Sequence, residues 1–512
     1  MKRKMLAATM AAAMAASLAA CGAGSSGSSS GAPAASTQAA TTAAAEATEA
    51  AASATESSAG ASGDYTGVTL TMMDWGDSIQ SYREAFNQEF IASHPGLTID
   101  YQVLTTDQFN SNIASLVSSG DAPDIFYVPS TMTLAQCVSE GWLMDMTSYY
   151  SQDYLDTIDE ASYSQGIGSI DGKVYGFNIV SPCNAMLLYY NQDVLDEAGV
   201  TKLPTTYSEF IDACKQVTEK TGGSAYGYVD GLAQTNRLDV LQRGLTGMAG
   251  GLDQATAATF YETTKDGAFV ATEESKAAAE FLSDLFSAGV IHPDSATMNA
   301  PQAREYFASN KAAFICQGNW CISTWLEDHP DLNYGVCALP VPDGYTGKSF
   351  VFKQNGGNVM VVSAKSEHPD LAAEYIQAMN SYDSSFIKNA VGAGALTSTV
   401  KKANDDYITD QHLKDYLALD DQYGVMVPNP VTYSTDANSL VAQVQSVSPD
   451  LGTIVQGIMT GSVAKSEIGS YLDTLNDALL AEWQRAADAA GVSVDCITVD
   501  DWQAGEDYTP AQ

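Results

Sequence analysis

The sequence predicts an α/β fold with two lobes, and three observations lead to that prediction. Two units in which strands and helices alternate flank the segment 171–193, which contains a dense apolar run. The chain has 512 residues, more than a single hydrophobic core usually organises. A long apolar strand between two α/β units is what a chain needs in order to pass from one lobe to another. The alternative at this point is a buried strand inside one large domain.

The first unit consists of strands and helices joined by short links. Its strands alternate apolar and polar residues with the period of two that a half-buried strand shows. Its helices carry apolar residues at helical spacing, and Asp77 or Ser78 is placed to cap the first of them. Short links of this kind imply right-handed crossovers and a parallel sheet. The elements are a strand at 68–72, a helix at 79–90 stopped by 94–96, a strand at 97–103, a helix at 109–117 ended by Gly120, and a strand at 124–128 stopped by Pro129.

The ends of these strands are where a ligand is expected. In open α/β sheets, ligands bind beyond the carboxyl ends of the strands. In the first unit those ends are the loops 74–77 and 129–131, which contain Trp75, Asp77 and Ser130.

The second unit follows the apolar segment and repeats the alternation of helices and strands. Its second helix has Thr206 or Ser208 as an expected cap. The elements are a helix at 194–198 closed by Gly199, a helix that starts within 203–210 and reaches 217, a strand at 222–229 ending at Asp230, a helix around 281–286 closed by Gly289, a helix at 304–309, and a strand at 312–316 with its terminal loop 317–320.

The N-terminus has the pattern of an exported lipoprotein. Positive residues at 2–4 precede an apolar run at 5–20, which is shorter than the roughly 20 residues of a typical membrane-spanning helix. The run ends in Leu18-Ala-Ala-Cys21, which resembles a bacterial lipobox and implies cleavage before Cys21 and a diacylglycerol on its sulfur. The alternative is an ordinary secretory signal peptide with an incidental cysteine. Residues 21–63, the cysteine and a stretch rich in Ala, Ser, Gly and Thr, are expected to form a disordered tether.

Composition narrows the function classes. Lys and Arg number 23 against 62 Asp and Glu, a net charge of -39, and a field of that sign repels nucleic acid and anionic lipid. Seven cysteines remain besides Cys21, an odd number that argues against a complete disulfide framework. No cofactor, metal or nucleotide site is expected. Four of the five histidines directly precede a proline, a position typical of helix ends and turns.

Several segments together carry a resemblance to a known family. Each is weak alone, but their order and spacing are specific. From about 65 to 480 the chain resembles the extracellular solute-binding proteins of carbohydrate ABC transporters, which include the maltose-binding type. The segments are the lipobox with its tether, 119–125, 172–176, 188–193, 203–210, 307–320 and 339–342.

The resemblance implies a periplasmic-binding-protein-like (type II) fold, with the ligand held between two lobes and a hinge of several crossings. It implies a lipid-anchored, monomeric protein outside the cell membrane, with permease subunits as partners, no cofactor and no enzymatic activity. The expected limits are 65–182 with 358–392 for lobe 1 and 187–350 with 397–490 for lobe 2. The acidic end, 491–512, has no expected role.

A sugar ligand needs aromatic rings for its C–H face and carboxylates or amides for its hydroxyls. Trp75 and Trp320 are the aromatic candidates, and the resemblance places Trp320 where family members often stack a sugar. The polar candidates are Asp77, Ser130, Asn184, Asp230, Asn319 and Asn355, and Tyr433 is the last candidate. For each residue the alternative is a structural role, as core aromatic or loop cap. The alternative functions are a binder of a peptide or polyamine, or a secreted glycan hydrolase.

Overall fold

The computed structural model describes residues 65–184, 186–251, 263–264, 267–354, 357–432 and 434–498, together with Trp502 and 505–508. These residues form two main sheets with helices packed against them. The predicted α/β fold with two lobes is confirmed. The predicted signal segment 1–20, Cys21 and the tether to residue 63 lie outside the described residues.

The first lobe is built on a five-stranded sheet. Strand β1 (Thr69–Asp74) pairs in parallel with β2 (Thr98–Val103) and β3 (Ile125–Tyr127), which confirms the predicted parallel unit. In contrast, β15 (Val359–Val362) runs antiparallel to β3 and to β6 (Gly176–Asn178). The strand order is β2-β1-β3-β15-β6. The elements up to residue 178 are β1 (Thr69–Asp74), α1 (Gln80–Ser93), β2 (Thr98–Val103), α2 (Thr106–Ser119), β3 (Ile125–Tyr127), α3 (Leu134–Ser139), α4 (Gln152–Leu155), β4 (Ser169–Ile170), β5 (Lys173–Val174) and β6 (Gly176–Asn178).

The ends of the first-lobe helices follow from local side-chain chemistry. Thr105 and Gln108 form a capping box at the start of α2, and Gly120 ends it with a φ of 83°, as predicted. The predicted cap of α1 is wrong. A single 3-10 turn at Asp77–Ile79 precedes α1, and neither Asp77 nor Ser78 caps either helix. The carboxylate of Asp77 turns instead towards Arg304 of the second lobe.

The segment 171–193 connects the two main sheets. Strand β6 is an edge of the first sheet, β8 (Leu187–Asn191) belongs to the second, and β7 (Cys183–Asn184) lies between them. β7 pairs antiparallel with β14 (Val351–Gln354), which pairs in parallel with β16 (Gly424–Val425). We call these three strands the connecting sheet. The segment is therefore a passage from one sheet to the other rather than one core strand.

The second lobe is built on a four-stranded sheet formed by β8, β9 (Tyr226–Tyr228), β12 (Ala312–Gln317) and β13 (Tyr334–Cys337). The strand order is β13-β8-β12-β9, in which β8 is antiparallel to β12 and β13 while β12 is parallel to β9. Alternate residues of β8 enter different cores: Leu188 packs on one side of the sheet, and Leu187 and Tyr189 pack on the other. The predicted strand at 312–316 is confirmed, whereas the strand predicted at 222–229 is shorter and covers only Tyr226–Tyr228. The elements are α5 (Gln192–Ala198), α6 (Tyr207–Lys220), β9 (Tyr226–Tyr228), α7 (Thr235–Met248), β10 (Thr263–Thr264), β11 (Gly267–Ala268), α8 (Glu273–Ser287), α9 (Ala300–Ala308), β12 (Ala312–Gln317), α10 (Cys321–Asp328) and β13 (Tyr334–Cys337).

The last third of the chain serves both lobes. Val400 and Ala403 pack in the core of the first lobe, so the segment just after 397 packs there and not with the second lobe as expected. Further along the chain, Ile454, Leu472 and Trp483 pack in the core of the second lobe. The elements are α11 (Pro369–Met379), α12 (Ser385–Gly392), α13 (Ala403–Tyr407), α14 (Gln411–Tyr423), α15 (Thr435–Val441), α16 (Leu451–Met459) and α17 (Ile468–Ala490).

Candidate ligand-binding cleft

A cleft of about 510 Å³ lies between the two lobes. Its described lining comes from the segments that follow β1, β2 and β3, from the connecting segments, and from α7, α9 and the loop before α10. Amides and hydroxyls dominate this lining. The side chains with polar or aromatic groups include Trp75, Asp77, Ser78, Gln80, Thr105, Thr106, Gln108, Ser130, Asn178, Ser181, Asn184, Gln234, Asn236, Arg237, Arg304, Asn319, Trp320, Asn358 and Thr397.

The lining contains most of the ligand-binding residues that the sequence predicts. Asp230 does not line the cleft, and Asn355 and Tyr433 lie outside the described residues. The predicted residues that the cleft brings together are Trp75, Asp77, Ser130, Asn184, Asn319 and Trp320.

Trp75 is held between the first core and the cleft. Its ring makes edge contacts with Phe109 and Tyr127, at centroid distances of 4.9 and 5.0 Å, and the side chain is half-buried. The loop that carries it is anchored below by Asp74, whose carboxylate accepts a hydrogen bond from the Gly76 amide and pairs with the fully buried Arg83. Trp75 therefore has both roles that the sequence allows: it packs on the core of the first lobe, and it lines the cleft.

Trp320 forms part of the opposite wall, at the end of the loop after β12. Its ring lies against Gly318, where an added Cβ would come within 2.1 Å of the ring. Only a glycine at 318 therefore lets the indole lie in this position. Next to it, Asn319 is buried and lines the cleft.

Asp230 was predicted to face the ligand, and the structure corrects that. The carboxylate is buried and accepts hydrogen bonds from the Tyr228 hydroxyl, at 2.7 Å, and the Gly231 amide, at 2.8 Å. Burial raises its pKa, against the lowering effect of Arg237, whose Nη2 lies 3.9 Å from Asp230 Oδ1. Because Arg237 lines the cleft and Asp230 does not, Asp230 can act on a ligand only by positioning Arg237.

An ion pair joins the two lobes at the cleft. Asp77, from the loop after β1, pairs through Oδ2 with Nη2 of Arg304 on α9. The Arg304 side chain is 5% exposed and the Asp77 side chain 43% exposed. A second contact between the lobes runs from Gln136 Nε2 to the Val444 carbonyl, at 2.8 Å. The described conformation therefore has the lobes in contact.

Asn184 lines the cleft, but its amide is committed to the protein. Its backbone N–H and its Nδ2 both donate to Asp420 Oδ1, at 2.9 and 2.8 Å. Its Oδ1 accepts from the Tyr416 hydroxyl at 2.8 Å and from the Met186 amide at 3.2 Å. Lys353 Nζ lies 3.1 Å from the other oxygen of Asp420. Asn184 therefore ties the connecting sheet to α14, and its amide is engaged with protein partners rather than open to a ligand.

Sequence reasoning missed the basic residues of the cleft and its unpartnered polar atoms. Among the described residues, Asn236 Oδ1, Thr397 Oγ1, Arg237 Nε and Arg304 Nε are buried and have no hydrogen-bond partner. All four side chains line the cleft. A buried polar group without a partner costs about 1–3 kcal/mol, so such atoms mark places where a ligand gains most. The one signal for them in the sequence is the rarity of arginine in so acidic a chain.

A second depression, of about 550 Å³, lies beside α11 of the first lobe. Its lining includes Asp370, Glu374 and Gln377, and it is far more open than the cleft. It draws on one lobe alone, so the interlobe cleft is the better candidate for a specific ligand.

The comparison with known families decides what kind of protein this is. A sequence model of the bacterial extracellular solute-binding proteins matches residues 75–386. The chain belongs to this family. That match covers the strands of both main sheets except β1, and every described residue of the cleft except Ala395, Leu396 and Thr397.

Two relatives illustrate the range of this solute-binding protein's family. A Brucella abortus protein described as a binding protein is 23% identical over 378 residues, covering 72% of this chain and 85% of its own. The diacetylchitobiose-binding protein DasA of Streptomyces coelicolor is 24% identical over 323 residues, covering 61% of this chain and 69% of its own.

Solved structures agree on the fold. A solute-binding protein of an ABC transporter from Thermotoga lettingae, bound to α-D-tagatose, superposes with a TM-score of 0.63 at 19% identity. The superposition covers 80% of this chain and all of the other. Within the described ranges, this solute-binding protein has no helix long and apolar enough to cross a bilayer.

Proposed function

We propose that this solute-binding protein captures a sugar or oligosaccharide in the interlobe cleft and delivers it to the permease of an ABC transporter. The observation that carries the proposal is the lining of the cleft, in which indoles from opposite lobes, Trp75 and Trp320, accompany many amides and hydroxyls. An indole covers the C–H face of a pyranose. An amide can both donate hydrogen bonds to the sugar hydroxyls and accept hydrogen bonds from them. The ligands of two similar proteins, diacetylchitobiose and tagatose, support the same class.

Capture is coupled to closure of the lobes. A ligand between the lobes can drive closure only through contacts that form in the closed state. The Asp77–Arg304 pair is such a contact, because its partners belong to different lobes. The connecting sheet absorbs the rotation, with Asn184 and Asp420 holding β7 to α14. We place the lobe limits at 65–182 with 358–407, and at 187–350 with 408–490.

Binding without catalysis is the further part of this proposal. Hydrolysis of a glycosidic bond generally uses a pair of carboxyl groups across the bond. Of the lining residues that the structure describes, Asp77 is the only carboxylate, and it is paired with Arg304. A polyamine binder would need several carboxylates in its cleft, so the same observation disfavours that alternative.

Residues 1–63 would hold the protein at the outer face of the cell membrane. The proposal rests on the basic start, the short apolar run and the sequence Leu18-Ala-Ala-Cys21. The lipid on Cys21 would provide the anchor, and the stretch to residue 63 would let a monomeric binding domain reach the permease.

Titration calorimetry against mono- and oligosaccharides tests the sugar proposal. We expect binding of at least one sugar, with a matching loss in a variant that lacks the Trp320 ring. Binding of amino acids or peptides with none to sugars would contradict it. Release of sugar products from a glycan by the purified protein would contradict the absence of catalysis.

A further inference from the structure

The cleft has a charge balance opposite to that of the chain. The whole sequence carries 62 acidic and 23 basic residues. The described lining of the cleft instead carries two guanidinium groups, Arg237 and Arg304, against the single carboxylate of Asp77. A protein this poor in arginine has placed two of them in its candidate binding site.

Both arginines are buried, and neither is fully engaged by the protein. Their side chains are 8% and 5% exposed. Arg237 donates through Nη2 to the Cys316 carbonyl at 2.8 Å, and the carboxylate of Asp230 is 3.9 Å away, too far for a hydrogen bond. The Nε atoms of both arginines have no partner within the described part of the chain.

The two guanidinium groups also act on one neighbourhood. Burial raises the pKa of the Cys321 thiol to about 12, while Arg304 and Arg237 both lower it. Cys321 begins α10, directly after Trp320. Both arginines also line the same cleft as Trp320.

The carboxylate paired with Arg304 belongs to the other lobe. Asp77 reaches it through Nη2, and when the lobes separate that partner moves away. A buried guanidinium without a counter-ion carries a large desolvation penalty. An anionic group on the ligand would give Arg304 a counter-ion whether or not Asp77 remains in contact.

We propose that the ligand is a sugar bearing a carboxylate, such as a uronic acid, whose acidic group binds Arg304 and Arg237 beside Trp320; this rests on the proposed function. Arginine presents a planar fork of donors that matches a carboxylate in two parallel hydrogen bonds. The strong negative charge of the whole chain does not prevent this, because surface charges are screened over about 8 Å at physiological salt.

Matched pairs of sugars test the inference by calorimetry on the purified protein. The pairs are glucuronate with glucose, galacturonate with galactose and mannuronate with mannose, as monomers and as short oligomers. We expect the acidic member of at least one pair to bind about tenfold or more tightly than its neutral partner, which equals about 1.4 kcal/mol. The preference should shrink as salt is raised.

Variants assign the preference to the arginines. Arg304→Gln and Arg237→Gln should each remove most of the preference for the acid. Arg243→Gln is the matched control, since Arg243 is a buried arginine of α7 that pairs with Asp239 and does not line the cleft. If thermal melting shows that Arg304→Gln is not folded, Arg304→Lys replaces it and should retain only part of the preference, because lysine keeps the charge without the fork.

The outcomes separate this inference from the proposed function. Neutral members that bind as tightly as the acids would overturn the carboxylate inference and leave sugar binding in place. An acid preference that survives in the folded Arg304 and Arg237 variants would overturn it as well. No binding to any member of any pair, with binding to peptides or polyamines, would overturn both proposals.

Discussion

At the scale of single residues, the predicted site residues are of two kinds. Some have surface still open to a ligand, and others are already engaged with the protein. Trp75 and Trp320 offer ring surface that is not used up by their packing, since both remain half-buried. Asn184 and Asp230 have their polar atoms occupied by protein partners. A polar residue at a strand end is therefore a ligand contact only if its hydrogen-bonding capacity is still open.

Asn184→Ala tests that distinction. The change removes three side-chain hydrogen bonds, those to Asp420, to the Tyr416 hydroxyl and to the Met186 amide, while the backbone groups of residue 184 keep theirs. We therefore expect a loss of about 1–3 kcal/mol in the free energy of unfolding, measured in urea. Asn333→Ala is the control, because Asn333 is exposed and its side chain bonds the exposed Asp193, and it should change stability by less than about 0.5 kcal/mol. Unchanged stability with weakened binding would instead make Asn184 a ligand contact.

Trp320→Ala tests the indole wall. Loss of the ring should raise the dissociation constant for the sugar about tenfold or more, by calorimetry, because the C–H face loses its aromatic partner. Trp320→Phe keeps a ring in the same place and should retain most of the affinity. Equal affinity in the alanine variant and the native protein would return Trp320 to a packing role.

At the scale of elements, periodicity and caps predicted the alternating strands and helices of the first unit and several elements of the second, but not α7 or α10. The parallel unit β1-α1-β2-α2-β3 follows from alternation, and Thr206 caps α6 as expected. Site residues at strand ends, such as Trp75 and Trp320, could be predicted because the ends of parallel strands meet at one edge. Arg304 and Asp420 could not, because each acts on a residue more than 200 positions away that only the folded chain brings near.

Within the acidic end of the chain, which had no expected role, the described residues Trp502 and 505–508 pack near the connecting sheet. Asp507 Oδ1 accepts from the Met426 amide, and the Tyr508 amide donates to the Met426 carbonyl, both at 2.8 Å. Trp502 packs with Phe352 and Val427 in a small apolar cluster. These contacts fix the chain next to β16, so the end of the chain supports the strands that join the lobes.

Trp502→Ala should loosen that support. We expect a loss of about 1–2 kcal/mol in stability, from the apolar area exposed. Hydrogen exchange at the amides of β14 and β16 should become faster, while exchange in β1 stays unchanged. Tyr471→Ala is the control, because Tyr471 is an exposed aromatic of α17. Equal exchange in the connecting strands of both variants would contradict a supporting role.

At the scale of the whole molecule, the net charge of -39 works against compactness, and it sets how stability depends on pH. Several carboxyls have pKa values lowered by partners, among them Glu209, to about 2 by Lys202 and Thr205, and Glu482, by Arg485. Groups of this kind contribute stability above their unfolded pKa of about 4 and lose it as the pH falls through the folded value.

Stability should therefore rise as the pH falls from 8 towards about 5, because repulsion weakens, and then decline below about 4 as the paired carboxylates are protonated. Thermal melting between pH 3 and 8 measures the curve, with added salt as the control. Salt screens repulsion among exposed charges and should raise the melting temperature at pH 8 more than at pH 5. Highest stability at pH 8 with no effect of salt would contradict this account.

The balance between open and closed lobes depends on the ion pair between Asp77 and Arg304. Asp77→Asn removes the charge that meets Arg304 and keeps the size of the side chain. We expect the unliganded protein to sample more open conformations, with a larger radius of gyration in small-angle X-ray scattering, because the closed state loses a contact that the open state lacks. Asp121→Asn changes an exposed acid of the same lobe and should leave the scattering curve as it is.

If the ligand carries a carboxylate, Asp77→Asn should also leave its affinity within a fewfold of the native protein, since Arg304 then has a partner from the ligand. A large loss of affinity with an unchanged scattering curve would make Asp77 a ligand contact rather than a closure contact.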